Sequence, residues 1–395
     1  HDFYGPSNIW VNVSTDGGQT YGAPIDLMTH FTNPTSSQTL AVQQASLCNT
    51  IPTQMKIAKG GPHKGRIYAS WIGADPTSAV SGCNITEAEA FHNLLIAWSD
   101  DQGNSWNTEV ALDAGQFHDA STPFAAFNID DQGNPYIAFA NNTNWDQSCA
   151  GPTNPQTPNC EYDTYLTWSP DGGNTWTKAI KVSSDTGTHW FPAIAAGHTG
   201  EVNIAWLQTP EVIATDVSGK QHPGACFTPP ACTFTGQWNV FAAKSVDLLA
   251  AARAGAQPTW TRTQVTSRPM HQGDICNLGI ACPPLLSNRN LADFISETVD
   301  PSGCAHINFA DDLTNNAVMS ADQVPGTCVA AASTTTPAAS PPGVSPSPVL
   351  TPATPDTSGG PPHPVALIAL MLALLVAVAS ALVGHRPHRS KPGPR

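Results

Sequence analysis

Charge is scarce in this chain: 12% of its 395 residues are Asp, Glu, Lys or Arg, and 8% are aromatic. Basic residues are scarcest. Of the 16 Lys and Arg, 12 precede residue 364, where they face all 30 Asp and Glu and leave a balance of −18. A surface of that sign repels a phosphate backbone, so nucleic acid is excluded as a partner. No CxxC pair is present, which argues against a zinc ribbon or a dithiol redox motif. No P-loop, dinucleotide fingerprint or GxSxG elbow appears, and no cofactor or metal is expected. A signal peptide is also missing and residue 1 is His, so the chain is expected to start after processing or partway through a longer one. What remains, 40% hydrophobic residues over this length, is ample for a large core.

The ten cysteines stand at 48, 83, 149, 160, 226, 232, 276, 282, 304 and 328. An even count with close neighbours suits loop-stapling disulfides in an oxidising compartment. The expected pairing is sequential, including Cys48–Cys83 and Cys304–Cys328.

Three C-terminal segments differ from the rest. Residues 331–364 are a Pro/Ser/Thr-rich stretch with ten prolines and one acid, Asp356. Such a segment cannot bury a core and is expected to be an extended, disordered stalk. Residues 365–383, VALIALMLALLVAVASALV, carry no charge and would span roughly 28 Å as a helix, about the thickness of a bilayer core. Residues 384–395 are a tail with four basic residues, which places it on the cytoplasmic side. A single-pass cell-membrane protein with residues 1–330 outside the cell is therefore expected.

Residues 1–330 repeat. Ser14-Thr15-Asp16-Gly17-Gly18-Gln19-Thr20-Tyr21 is echoed from Ser99 to Trp106 around Asp101, and from Ser169 to Trp176 around Asp171. A stretched copy has Ser245 and Asp247, an Ala-rich insertion, then Thr259-Trp260. The starts lie 85, 70 and 76 residues apart, the mark of an array of like units. Each copy sits between short β-type runs and is followed by a pair of runs joined by a Gly turn, such as PFAAFNIDDQGNPYIAFA and FPAIAAGHTGEVNIAWL. Four strands per unit without helical periodicity imply an all-β propeller. In the octet, Asp accepts backbone N–H groups, Gly supplies positive φ, and the aromatic packs beneath. It is a hairpin device rather than a reaction centre. The first unit supplies only its two outer strands, and the last, from about Asn290, lacks a clear fourth strand after residues 316–322. A six-bladed ring, N-terminally incomplete in this chain, is expected; five blades closed by the two partial units is the alternative.

The motif S-x-D-x-G-x-T-W is the Asp-box, or BNR, repeat, and most of residues 1–330 resembles the sialidase-like propeller superfamily. That resemblance implies boxes on the face opposite the active site. It also implies three arginines on a substrate carboxylate, an Asp acid/base, and a Tyr nucleophile activated by Glu from a late blade. This chain departs from the pattern. Its tyrosines are Tyr4, Tyr21, Tyr68, Tyr136, Tyr162 and Tyr165, none of them late, and the early Arg-Ile-Pro motif is not found. Among five arginines, Arg66 reads as an outward strand residue, Arg253 as part of the box insertion and Arg262 as outer-strand. Only Arg268 and Arg289 fall in connections that lead to an inner strand.

One constellation recurs. His118, His189 and His271 follow Trp106, Trp176 and Trp260 by 12, 13 and 11 residues, each before the next inner strand. Radial repetition would bring them to one rim, as a site able to bind a divalent metal or polar glycan, or as locally bonded copies of a repeat, the reading preferred. With Arg268 and Arg289 they are the candidate substrate-binding residues. Asp119, Asp274 and Asp293 are the candidate catalytic carboxylates, and the Asp311-Asp312 pair reads as solvated. Trp71, Trp98, Trp168 and Trp206 read as inter-blade packing. Three functional readings stay open: a glycan- or ligand-binding ectodomain lacking sialidase chemistry, an exo-α-sialidase or other glycoside hydrolase completed by blades N-terminal to His1, or a structural or assembly propeller using its edges for protein contacts. Fold alone does not choose between them.

Overall fold

The computed structural model describes residues 6–7, 9–27, 47–74, 93–114, 125–141, 162–211, 214–215, 221–222, 236–273, 275, 291, 295–314, 316–324 and 328. All belong to one compact unit, His1–Thr334. The second unit, Thr335–Arg395, lies outside the described residues, and with it the expected membrane helix and tail. Among the described residues no helix is long and apolar enough to cross a membrane.

The unit is a succession of antiparallel sheets. β1 (Pro6–Ser7) precedes β2 (Trp10–Val11) and β3 (Ile25–Asp26), which pair around the first box. The first large sheet runs β4 (Leu47–Ile57), β5 (Ile67–Ala74), β6 (Asn93–Ser99) and β7 (Asn107–Asp113), with β1 added beside β4. The second holds β8 (Ala126–Ile129), β9 (Pro135–Asn141), β10 (Asp163–Trp168) and β11 (Ile180–Lys181). In the third, β12 (Thr188–Ala196) and β13 (Val202–Thr209) are followed by a small hairpin of β14 (Ala214–Thr215) and β15 (Gln221–His222). Then come β16 (Gln237–Ser245), helix α1 (Leu248–Ala254), β17 (Thr261–Gln264) and β18 (His271–Gln272), the last paired with β16. The fourth is β19 (Ile295–Val299), β20 (Ala305–Asp311) and β21 (Ala317–Asp322). Apart from β1, added beside β4, the small β14–β15 hairpin and β18, spatial order follows chain order, as the four-strand repeat requires, with two strands in the first unit and three in the last.

Burial explains the arrangement. Every residue of β6, β9 and β13 is buried, because these central strands are covered on both faces. Tyr68, Ile96, Trp98, Phe127 and Phe139 form the core between the first and second sheets. Tyr136, Leu166, Trp168, Ile194 and Trp206 join the second to the third. Trp190, Trp238, Val240, Ile307 and Phe309 join the third to the fourth. Trp98, Trp168 and Trp206 are buried in these layers, and Trp71 in a further core with Val11, Leu27 and Leu95 between the first box's strands and the first sheet, as expected of packing tryptophans. The first strands pack successively, β4 on β8, β8 on β12 and β12 on β19.

The boxes form self-satisfied turns. In the third, the Ser169 hydroxyl donates to Asp171 Oδ1 at 2.7 Å and accepts from the Gly173 N–H at 2.7 Å. The Thr175 hydroxyl reaches Asp171 Oδ2 at 2.7 Å. The same bonds recur around Asp101 and Asp16. The Ser105 hydroxyl and amide hold Asp101 down at about 2, and Asp16, Asp171 and Asp247 also lie below the ordinary carboxylate range. Trp106 and Trp176 close their turns by donating to the Gly103 and Gly173 carbonyls at 3.1 Å. Positive φ falls on Gly17 and Gly172, and the second box places Gln102 there at 63°. The fourth box is stretched by α1, yet Asp247 still accepts from Thr259 N–H at 3.0 Å and from the Ser245 hydroxyl at 2.9 Å.

Cys304 and Cys328 are disulfide-bonded, as the sequential pairing expects, and staple the start of β20 to the chain beyond β21. The other cysteine side chains lie outside the described residues. Arg66 overturns its outward reading. It is buried between the first and second sheets, because Trp98 and Tyr68 cover its guanidinium and the third box closes over it.

Candidate functional site

In these antiparallel meanders, the boxes and the turns between first and second strands share one end of every sheet. Connections from sheet to sheet leave from the other end, and there His189, Arg268 and His271 stand. His118, Asp119, Asp274, Asp293 and Arg289 lie outside the described residues. His189 is fully buried. Its Nδ1 is 2.8 Å from the Tyr162 carbonyl and 3.3 Å from Asp163 Oδ1, and its Nε2 is 3.4 Å from Asp185 Oδ1. That contact, followed by the Gln208 amide, holds Asp185 at about 2 against the effect of burial. Asp163 also receives the Lys181 ammonium at 2.6 Å and the Ser183 hydroxyl at 2.7 Å.

His271, also buried, places Nδ1 2.7 Å from Asp312 Oδ2. Arg268 donates to Asp311 Oδ2 at 2.7 Å and to the Thr314 hydroxyl. The Asp311-Asp312 pair is therefore not solvated: Asp311 is buried under Arg268 and Asp312 is covered by His271. Each described rim residue is held by its own neighbours, which tie one connection to the loop beside it. Among the described residues no group of three or more His, Cys, Asp and Glu side chains is arranged to hold a metal.

A cavity of about 370 Å³ lies where the first strands of all four large sheets converge. Thr53, Gln54 and Lys56 come from β4, Asn128 from β8, Phe191 to Ile194 from β12, and Ile295 to Glu297 from β19. Its wall departs from regular strand geometry. The β12–β13 register shifts between Trp190 and Ala193, and Phe191 is held at φ 54°, a left-handed backbone that a bulky side chain rarely adopts. Such strain persists only where the surrounding packing imposes it, and it concentrates at functional sites. Here the bulge turns Phe191 and Pro192 toward the cavity. Asn128 Nδ2 donates to the Ile194 carbonyl at 3.0 Å and ties β8 to β12 beside it.

Two ionisable groups line this space. Lys56 is half-buried, and burial first, then the nearby Lys59, lowers its ammonium from the ordinary lysine range. No carboxylate among the described residues pairs with it. Glu297 places its stem in the wall and both carboxyl oxygens out of solvent, with no hydrogen bond of ordinary geometry to either. Burial pushes that carboxyl well above the ordinary range, although the Ala205 N–H and the Lys244 ammonium favour its anion. Sequence reasoning missed Lys56, Phe191 and Glu297. A signal for Glu297 was available: six residues before the turn glycine, the second and third sheets carry Phe127 and Ile194, and the fourth carries Glu297.

No family model matches the chain, and no curated relative matches it. It is similar to several solved sialidases and trans-sialidases. They include the Hadza microbial sialidase Hz136, with a TM-score of 0.37 and 14% identity over 68% of this chain and 43% of that one. A leech intramolecular trans-sialidase gives a TM-score of 0.33 and 12% identity, covering 78% of this chain and 34% of that one. A Trypanosoma rangeli sialidase gives 0.35 and 14%, covering 69% and 35%. The chain thus spans less than half the length of each of these three structures.

Proposed function

We propose that the sheets are blades of a sialidase-like propeller, displayed outside the cell on the 331–364 stalk and the 365–383 anchor, and that it binds an acidic glycan in the central cavity without sialidase chemistry. Lys56 carries this reading. An ammonium withdrawn from water without a counter-charge is costly, and an anionic group entering the cavity removes that cost. Thr53, Gln54, Asn128 and Ser296 supply hydrogen-bonding groups, and Phe191, Pro192 and Ile194 supply apolar wall, the mixture that small-molecule sites use.

The phenols support binding over hydrolysis. Tyr68 is pushed up to about 12, chiefly by burial, and donates to the Gly133 carbonyl at 2.9 Å. Tyr136 lies well above its ordinary range for the same reason and donates to Asp130. Tyr165 stacks on Phe139, and no tyrosine among the described residues lines the cavity. A phenol that cannot ionise is a poor nucleophile.

Calorimetric titration of the full chain with sialic acid, glucuronic acid and neutral galactose tests the proposal. The acidic sugars are expected to bind more tightly than galactose, and Lys56→Gln is expected to lose about tenfold or more in their affinity while its thermal midpoint stays unchanged. Equal binding of acidic and neutral sugars, or an unaffected Lys56→Gln variant, contradicts it. Turnover of a fluorogenic sialoside that is lost in Arg289→Ala replaces it with the hydrolase reading.

A further inference from the structure

We propose that Glu297 is a proton-operated latch in the seam between the third and fourth sheets: uncharged, it lets the seam close beside the central cavity, and ionised, it opens it. The fold's own repetition supplies the first argument. The turn bonds Asp130 N–H to Asn134 O, Gly197 N–H to Glu201 O and Asp300 N–H to Cys304 O are equivalent. Three residues before each stand Phe127, Ile194 and Glu297. Phe127 and Ile194 are buried apolar core. Glu297 occupies the same place, opposite the buried Ile307 on β20, so the position calls for an uncharged side chain.

Its surroundings supply the second. Across the seam, β13 has no acid or base, and β12 has only His189 near its far end. From β16 comes Lys244, whose ammonium is already held by Glu201 Oε1 at 2.6 Å and the Gly303 carbonyl at 2.6 Å. On β20, His306 pairs opposite Thr298 on the other face, and Asp311 is taken by Arg268 at the strand's end. Lys56 of β4 lines the same cavity and does not pair with Glu297. Neither carboxyl oxygen has a hydrogen-bond partner of ordinary geometry, so the Ala205 N–H and the Lys244 ammonium offset only part of an anion's desolvation cost until the seam admits water.

The sign follows. Burial raises this carboxyl in the folded state above its unfolded value, so its contribution is complete below the ordinary glutamate range and is lost as pH rises toward the raised value. Because β19 and β12 both wall the cavity, opening the seam deforms the binding space as well.

Hydrogen exchange of the full chain at pH 6, 7.5 and 9, corrected for the intrinsic pH dependence of amide exchange, tests the latch at the amides of residues 202–207 and 295–299. The wild type is expected to lose protection there by up to about tenfold per pH unit between the ordinary glutamate range and the raised value, and to level off above it. Glu297→Gln, the same shape without the charge, is expected to stay flat. Should that variant not fold, Glu297→Ile, which copies Ile194, supplies the flat reference. Protection that falls in parallel in wild type and variant, or that falls in neither, overturns the proposal.

Discussion

Lys244→Met is expected to destabilise the folded unit by about 3–5 kcal/mol in denaturant unfolding, the usual effect of leaving one partner of a buried ion pair alone. The Glu201 side chain is fully buried, and the Lys244 ammonium lies 2.6 Å from its Oε1. The same ammonium donates to the Gly303 carbonyl, in the turn between β19 and β20, so one cation joins the third sheet to the fourth. Little else serves the carboxylate: Oε2 accepts only a 3.3 Å bond from the His198 N–H, and the chain is packed so closely that a Cβ at Gly303, whose φ is 78°, would meet Oε1 at 2.7 Å. Replacing both charges, as Lys244→Met with Glu201→Leu, is expected to recover much of the loss, because the cost lies in the stranded carboxylate. A single variant within about 1 kcal/mol of wild type contradicts this role.

Arg66→Ala is expected to cost about 2–3 kcal/mol and to lower the thermal midpoint by roughly 5–10 °C. Its guanidinium donates to both Asp100 oxygens at 2.7 Å and to the Gly172 carbonyl of the third box at 2.7 Å. It also lies 5.6 Å from the Trp98 ring centre and 6.0 Å from that of Tyr68. The Asp100 side chain is 55% exposed, so the ion pair alone supplies at most about 1 kcal/mol. The larger part is the lost bond to the Gly172 carbonyl, which keeps only the longer 3.2 Å bond from the Tyr68 hydroxyl, and the lost aromatic contact. Arg66→Lys is expected to recover little, since an ammonium cannot serve the carboxylate and the carbonyl with the same fork. Full recovery by lysine would show that charge alone matters.

The regular features of the fold were legible because they are local. Ser, Asp, Gly and the aromatic of each box bond to one another within eight residues, so spacing carries their geometry, and alternation with Gly turns marks the hairpins. Arg66 shows where that legibility ends. Its strand pattern gives side-chain alternation but does not say that the next sheet's box covers that face. The Asp311-Asp312 pair was misread for the same reason, since Arg268 and His271 reach it from 43 and 41 residues away. The recurring His spacing is real, yet what His189 and His271 touch is decided by loops of different lengths. The cavity was the least legible feature, because it is assembled from four strands that share only their place in the repeat. Glu297 broke an internal pattern that only alignment on the turn glycines exposes.

The most direct test of the central cavity as a binding site is the pH titration of the Lys56 side-chain Cε resonance, followed by NMR in the full chain with and without sialic acid. Without ligand, Lys56 is expected to lose its proton below the ordinary lysine range, and bound sugar is expected to move that titration upward as its carboxylate stabilises the ammonium. An ordinary titration that sialic acid leaves unmoved would contradict the account.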